Sequence, residues 1–310
     1  MIKIGVITNP HSKLNRKNPS RPRRLAYILG EQGVFEMTES VDHLQQVAEN
    51  FLDKNIDVLA INGGDGTISH TLSAFIKVYG DKPLPKVALL KGGTMNVTAV
   101  NLGIKGGPEE LLSLLLEKTS LSEKLEVVSV PSIHVNHNYG FIYADGTSAN
   151  ILKEFYKKKT GSLGAVWLGL RIWASALFNT AFSKSLIKSS SVELISEDYN
   201  TAHNSLGVFA STIKKLPLGL PIFCHAGKGD SHNIHALSVL VEPQKLRWKF
   251  LQVIFSKTLG RSTVKESFIC EHLKVRVAEN FLYTIDGELY ESDGKDVEIQ
   301  RGPVIEFVAL

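Results

Sequence analysis

The chain reads as an α/β protein in two parts. Over roughly its first 120 residues it forms a mainly parallel sheet covered by helices on both faces, and beyond that an antiparallel region of many short strands. Three observations predict this. Apolar β-branched runs alternate with segments of helical period up to about Leu121. Short alternating strands separated by turn residues dominate afterwards, the pattern of a sandwich or barrel. A glycine-rich turn, Asn62-Gly63-Gly64-Asp65-Gly66-Thr67, joins a buried strand to a helix within the first part.

Taken in order, Ile2 to Thr8 is a short apolar run that reads as a buried strand. Arg21 to Glu31 follows as a helix with Pro22 in its first turn. Val34 to Met37 is a short strand. Val41 to Leu52 places Val41, Leu44, Val47, Ala48, Phe51 and Leu52 on one helical face. Asp57 to Ile61 is the clearest strand, followed by a helix over Ile68 to Val78. Lys86 to Leu90 is a further strand, with helical segments near Thr94–Asn101 and Pro108–Lys118. In a parallel sheet of this kind the ligand lies beyond the carboxyl ends of the strands. A boundary falls near residues 121–131, dividing the chain into 1–125 and 126–310. The second part is read as strands at Glu126–Val130, Ile133–Asn136, Tyr139–Ala144, Val192–Ser196, Ser205–Ala210, Ile234–Val241, Lys274–Ala278, Phe281–Ile285 and Val304–Ala309.

Composition bounds the function. A chain of 310 residues with 43% hydrophobic and 21% charged residues excludes a disordered or collagen-like protein. Two cysteines, Cys224 and Cys270, exclude a disulfide scaffold and any CxxC-type zinc site. Together with an N-terminus unlike a signal peptide, they point to the cytoplasm. The net charge of +4 is concentrated at Lys13–Arg24 and Lys153–Lys159. Lys13–Arg24 reads as a lid over phosphates, a membrane contact or a solvated loop. It lacks interleaved aromatics, which argues against nucleic acid. Ser162 to Phe182 is apolar except for Arg171 and Asn179. A central arginine disfavours a membrane span, leaving a packed helical insertion or a helix lying in a membrane interface flanked by lysines.

The chemistry centres on Gly63 to Thr67. Glycines at such a turn allow positive φ and close backbone approach, and the first helical N–H groups face an anion. Thr67 is placed to cap the helix. Asp65 beside phosphates implies a magnesium or acid–base role. The chain has neither a P-loop nor a GxGxxG fingerprint. His225, His232 and His235 match no standard metal spacing.

Gly63-Gly64-Asp65-Gly66-Thr67 resembles the nucleotide loop of the diacylglycerol kinase catalytic-domain family, the lipid kinases that include sphingosine kinases and bacterial diacylglycerol kinases. Further segments resemble that family's motifs in order: Asn9-Pro10-His11-Ser12, Leu90 to Asn96 with Leu102-Gly103-Ile104, Tyr139 to Ala149, and Asp286-Gly287-Glu288. The resemblance implies a three-layer α/β nucleotide-binding domain followed by a β-sandwich that holds the lipid. It implies an ATP- and Mg2+-dependent kinase acting on a lipid alcohol such as diacylglycerol. Asn9, Gly63, Gly64, Gly66, Thr67, Gly93, Thr94 and Asn96 would line the nucleotide. Asp65 and Asp286 would be the acidic pair at the transfer centre, either one the candidate base, with Glu288 beside them. Departures occur at Lys13 (family Gly), Lys91 (often Pro), Val97 (often acidic) and Val100 (often Arg). Asp230, in Gly229-Asp230-Ser231, is the nearest counterpart of the Asp-Gly pair that binds a structural magnesium in bacterial members, and it lacks the second glycine.

The leading expectation is a cytoplasmic lipid kinase working at a membrane surface, with a homodimer as the commonest assembly. An NAD kinase-like enzyme shares Gly-Gly-Asp-Gly-Thr but fits Gly93-Thr94-Met95-Asn96 less well. A lipid- or nucleotide-binding protein without turnover is the third reading, supported by the departures.

Overall fold

The computed structural model of the chain describes residues 2–121, 123–157, 186–216, 219–227, 233–294 and 296–310. The Ser162–Phe182 segment, His232 and Asp230 lie outside them.

Four strands, β1 (Ile4–Thr8), β2 (Gly33–Met37), β3 (Val58–Asn62) and β4 (Lys86–Leu89), pair in parallel in the order β2-β1-β3-β4. Every residue of β1 and β3 is buried, as expected for strands covered on both faces. After β1 come α1 (Lys13–Lys17) and α2 (Arg21–Leu29); α3 (Val41–Asp53) follows β2 and α4 (Asp65–Tyr79) follows β3. Beyond β4 lie α5 (Val97–Asn101) and α6 (Pro108–Ser120). Helices α3 and α4 pack together on one face, with the Phe51 and Phe75 rings edge to face at 5.9 Å. Helix α2 packs with α6, where Arg21 and Arg24 pair with Glu109 at 3.1 and 2.7 Å. Helix α3 starts where expected: Ser40 caps it by accepting from the His43 N–H, and Leu44, Val47, Ala48 and Phe51 turn inward.

The second part is built from β5 (Val127–Val135), β6 (Asn138–Gly140), β7 (Ile142–Asp145), α7 (Thr147–Lys157), β8 (Ser190–Ile195), β9 (Asn200–Ser205), β10 (Val208–Ser211), β11 (Ile234–Val239), α8 (Leu246–Phe255), β12 (Gly260–Arg261), β13 (Lys265–Cys270), β14 (His272–Val277), β15 (Leu282–Ile285), β16 (Glu288–Glu291) and β17 (Asp296–Val308). One antiparallel sheet runs β12-β13-β11-β10-β7-β15-β16. It faces strands β5, β8, β14 and β17 across a shared apolar core that includes Tyr143, Phe268, Val275 and Ile299, so the sandwich form of the expectation holds.

Strand β17 links the two parts. Residues 296–300 pair with β14, and Phe307 pairs in parallel with Val87 of β4, while β5 lies along most of its length. The ladder shifts register between Arg301 and Val304, and the Ser132 hydroxyl donates to the Pro303 carbonyl there at 2.9 Å. The parallel sheet thus runs into the sandwich as one continuous sheet.

The structure differs from the sequence expectation in several elements. Glu126–Val130 and Ile133–Asn136 are one strand passing through Pro131, whereas Tyr139–Ala144 is two. Strands β9, β12, β13 and β16 and helices α1, α7 and α8 were not expected, and β17 starts well before Val304. No helix among the described residues is long and apolar enough to cross a membrane.

Phe307 is buried, paired with Val87 of the first part and with its ring 5.7 Å from that of Phe141. Truncation to alanine is expected to cost about 3–5 kcal/mol. Urea unfolding of Phe307→Ala checks this, and a loss below about 1 kcal/mol would mean that this junction contributes little.

Candidate functional site

The order β2-β1-β3-β4 reverses direction between β1 and β3, and the carboxyl ends of those strands open the crevice where open α/β sheets bind ligands. Three loops meet there, tied by buried asparagines. The Asn9 N–H donates to the Asn62 carbonyl at 3.0 Å, and its side-chain amide donates to the Thr67 hydroxyl at 2.9 Å. Asn15 donates to the Asn9 carbonyl at 2.7 Å and accepts from Asn62 at 3.3 Å. The Ser12 hydroxyl and the Leu14 N–H both donate to the Gly92 carbonyl.

The glycines answer a need for space. None of Gly63, Gly64, Gly66, Gly92 and Gly93 has positive φ. A Cβ on Gly93 would collide with the Cα of Gly64, and one on Gly92 would meet the Asn62–Gly63 backbone. A Cβ on Gly66 would take the space of the Glu288 carboxylate. Of the two reasons glycine was expected here, close approach is the one that applies. The left-handed residues lie elsewhere, at Lys91 (φ 55°) and Asn96 (φ 47°). A proline ring cannot adopt the Lys91 conformation, so the departure from the family pattern comes with a different local backbone. The Lys91 ammonium donates to the Ile104 carbonyl.

Two site expectations change in detail. Helix α4 begins at Asp65 with extended Gly64 as its N-cap, so Thr67 lies within the first turn and does not cap it. The Thr67 hydroxyl serves Asn9 instead. Asn96 is buried and its amide closes on the Gly93 backbone in both directions at 3.1 Å. It shapes the second loop and is not on the cleft wall.

The acidic residues come from distant parts of the chain. Asp65 opens α4, and its carboxylate accepts the Thr98 N–H at the start of α5 at 3.3 Å. Burial raises its pKa, partly offset by the backbone amides around it. Asp286 and Gly287 form the two-residue turn of the β15–β16 hairpin, both with positive φ. The Asp286 carboxylate accepts the Phe141 and Ile142 N–H groups at 3.1 and 2.9 Å, between β6 and β7. Burial pushes its pKa up to about 7; the Phe141 and Ile142 amides oppose that, while the negative charges of Asp65 and Glu288 add to it. Helix α4 is fastened to β6 by Ser69, which donates to the Tyr139 carbonyl at 2.6 Å, and by Ser73, which accepts the Tyr139 N–H. These bonds bring the Asp65 end of one part against the Asp286 turn of the other.

The resulting cleft holds about 570 Å³ and is lined by Asn9, Gly64, Asp65, Gly66, Thr67, Gly93, Thr94, Asp286 and Glu288. Sequence reasoning did not single out His70 or Tyr156, which also line it. The Tyr156 hydroxyl, on α7, donates to the Gly287 carbonyl at 2.6 Å. The basic run divides: Lys13 and Arg16 line the cleft, whereas Arg21 and Arg24 serve Glu109. A larger cavity of about 1150 Å³ lies at the amino ends of β1, β3 and β4, lined by Ile4, Val58 and Lys86, far from these motifs. Ligands of such sheets bind at the opposite end.

Among the described residues no group of three His, Cys, Asp or Glu side chains is arranged to hold a metal ion. His235 is buried, with its Nε2 2.7 Å from the Ser267 hydroxyl and its pKa pushed down to about 3 by burial, and His225 meets the Lys257 carbonyl.

Replacing Gly93 by alanine is expected to cost about 1–3 kcal/mol, because its methyl group meets backbone that cannot yield. Chemical denaturation checks this; an unchanged midpoint would show that the loops separate freely. The raised Asp286 pKa carries a second expectation. An unfolded aspartate ionises near 3.9, so between about pH 4 and pH 7 the folded protein keeps a proton that the unfolded chain has lost. Stability from this group is therefore full below about pH 4 and is lost as pH rises to about 7. Thermal melts of Asp286→Asn should match wild type at low pH and exceed it above pH 7. Parallel curves across the range would count against the shift.

The comparisons with known proteins agree with this architecture. Residues 3–130 match the family model described as the diacylglycerol kinase catalytic domain, bearing out the resemblance read from the motifs. No curated protein matches the chain. A crystal structure of a diacylglycerol kinase from Bacillus anthracis str. Sterne shares 15% identity and a TM-score of 0.66 over 99% of this chain and 96% of that one. Two structures of candidate diacylglycerol kinases from the same organism give TM-scores of 0.72 and 0.70 at 15% and 18% identity. Both cover 99% of this chain, and the shares of their own chains are 96% and 97%. At such identities the likeness is one of fold.

Proposed function

We propose that this chain, whose residues 3–130 match the diacylglycerol kinase catalytic domain, transfers the γ-phosphate of ATP to the hydroxyl of a lipid alcohol. The observation that carries this reading is the meeting of Asp65, Asp286 and Glu288 over two glycine loops at the switch point of a parallel sheet.

The division follows the notion of two parts, residues 1–125 for the nucleotide and 126–310 for the lipid. The first turn of α4 presents N–H groups without intrahelical acceptors, and the loops carrying Gly64 and Gly93 let phosphates approach the backbone. Lys13 and Arg16 supply positive charge at the same wall. Phosphoryl transfer needs alignment and charge neutralisation above all. Among the described residues no cage of three acidic, His or Cys side chains is formed, so Glu288 would hold Mg2+ together with the nucleotide phosphates, because magnesium commonly takes one or two carboxylates beside phosphate oxygens. Bound there, it would neutralise charge on the transferred group. The lipid oxygen forms its bond to phosphorus as the bond to ADP breaks, and the hydroxyl proton passes to the Asp65/Asp286 pair. Asp286, raised to about 7 by burial with the charges of Asp65 and Glu288 adding to it, is half ionised at neutral pH and strong enough to take that proton late in transfer. A lipid acceptor implies peripheral association with a membrane.

The test is transfer of labelled γ-phosphate from ATP with Mg2+ to a total lipid extract, with NAD as a second acceptor. A labelled lipid is expected, and Asp65→Asn and Asp286→Asn should each lower the rate by about 10²–10⁴-fold. The rate should rise with pH through about 7. Glu288→Gln should move that limb to lower pH, because removing a neighbouring negative charge eases ionisation of Asp286. Labelled NAD in place of lipid would establish the nucleotide kinase instead. ATP binding without any transfer would leave a binding protein.

A further inference from the structure

Helix α8 has a composition that its position in the fold does not explain. Its inner face is supplied by Val253 and Ile254, both buried, with Leu246 packed against the same core. The opposite face should then be polar. It carries Trp248, Leu251 and Phe255 instead, spaced three and four residues apart and 74%, 65% and 58% exposed, with exposed Leu259 just beyond. One large exposed apolar side chain needs no reason, but a contiguous row of them does.

The charge around this row is mainly positive. From Pro243 to Lys265 the chain contains six Lys or Arg and no Asp or Glu, although Lys265 is buried and Lys245 pairs with exposed Glu242 at 2.9 Å just before the helix. Lys245, Lys257 and Arg261 are exposed, and Lys249 is half-buried on the helix itself. An apolar face with Trp, Leu and Phe, bordered by cations, has the chemistry of a helix lying in the headgroup region of an anionic bilayer.

Two other occupants are disfavoured by the same charge. A second copy meeting this face about a two-fold axis would set the basic border against itself. The apolar stretch of this chain at 158–185 is also basic, because no Asp or Glu occurs between Glu154 and Glu193. Anionic headgroups complement the border, and neither protein surface does.

Contacts on two sides place α8. His225, whose ring lies 5.4 Å from that of His235, meets the Lys257 carbonyl just past the helix. The Lys265 ammonium donates to the Ser256 carbonyl at 2.6 Å, and Leu251 and Phe255 border the Ser262–Val264 turn that opens β13. That turn lies at the end of the sheet away from the row of paired residues Ile142, Ser211, His235 and Ile269 beside Asp286.

We infer that the exposed face of α8, through Trp248, Leu251 and Phe255 with the surrounding lysines, docks the protein on an anionic lipid surface. This deepens the lipid-kinase reading and rests on it for its purpose, though its test does not require turnover. Vesicles of phosphatidylcholine alone, or mixed with phosphatidylserine, are sedimented with the full chain in the absence of ATP. Wild type should sediment with the mixed vesicles, less so at high salt. Trp248→Asp/Leu251→Asp should weaken binding at least about tenfold. Lys249→Glu should lessen the preference for phosphatidylserine, and Tyr27→Asp, an exposed aromatic on α2, should change nothing. Circular dichroism confirms that each variant is folded. Three results would overturn the inference. One is wild type that ignores both vesicles; another is a folded double variant that binds as well as wild type. The third is light scattering that shows a dimer which the double variant dissolves, making the face a self-association surface. Vesicle binding through α8 with no lipid phosphorylated would leave the docking face standing and sink the kinase reading alone.

Discussion

The site depends on backbone meeting backbone. Gly64 and Gly93 bring the ends of β3 and β4 so close that a side chain at Gly93 has no room and one at Gly64 would fit only tightly. This contact determines where the first turn of α4 begins and hence where Asp65 stands. It also sets Asn96 into its left-handed conformation, since the Asn96 amide must close on Gly93 from behind. Asn9, Asn15 and Asn62 supply the bonds that such tight loops cannot make for themselves. These amide bonds hold the geometry more rigidly than apolar packing alone would, because each bond also has a direction, although the buried Asn62 Oδ1 has no protein partner.

The second requirement is to gather acidic groups that repel one another. The fold meets it with peptide N–H groups, partial positive charges that cannot move away or be titrated. Asp286 takes two from the β6–β7 connection, and Asp65 takes one from the start of α5. The donors belong to different parts of the chain from the acids they hold. The acidic cluster is thus a product of tertiary structure, and it stays together because Ser69 and Ser73 fasten α4 to β6. Burial, with the remaining repulsion adding to it, raises the Asp286 pKa to about 7.

Much of this could be read from the sequence, and the gaps have physical causes. The parallel strands were legible because burial on both faces makes them continuous apolar runs, as at Val58–Asn62. Strand β13 was not, because it opens with Lys265 and Glu266, both buried. Lys265 donates to the Ser256 carbonyl nine residues away, and Glu266 accepts from the Tyr199 hydroxyl far along the chain. Helix α8 escaped because it is apolar on both faces, which removes the periodicity that marks a helix. Strand β17 was seen only in its last residues, because Arg301-Gly302-Pro303 reads as a turn and not as a bulge inside a strand. At the site, the glycine and aspartate motifs carried their own signal. Tyr156 had none: a tyrosine on a helical face does not announce that it will reach Gly287.

The long reach of β17 bears on how the protein comes to be folded. Val87 and Phe307 are neighbours in the sheet, yet nearly the whole sandwich lies between them in the chain. Contacts of such separation form slowly, since a large loop must close before they are rewarded. Until then β4 is an open edge whose Val87, Ala88 and Leu89 are built for burial, a template for pairing with another chain. The parallel sheet thus gains the cover on its β4 edge from the far end of the chain, through β17.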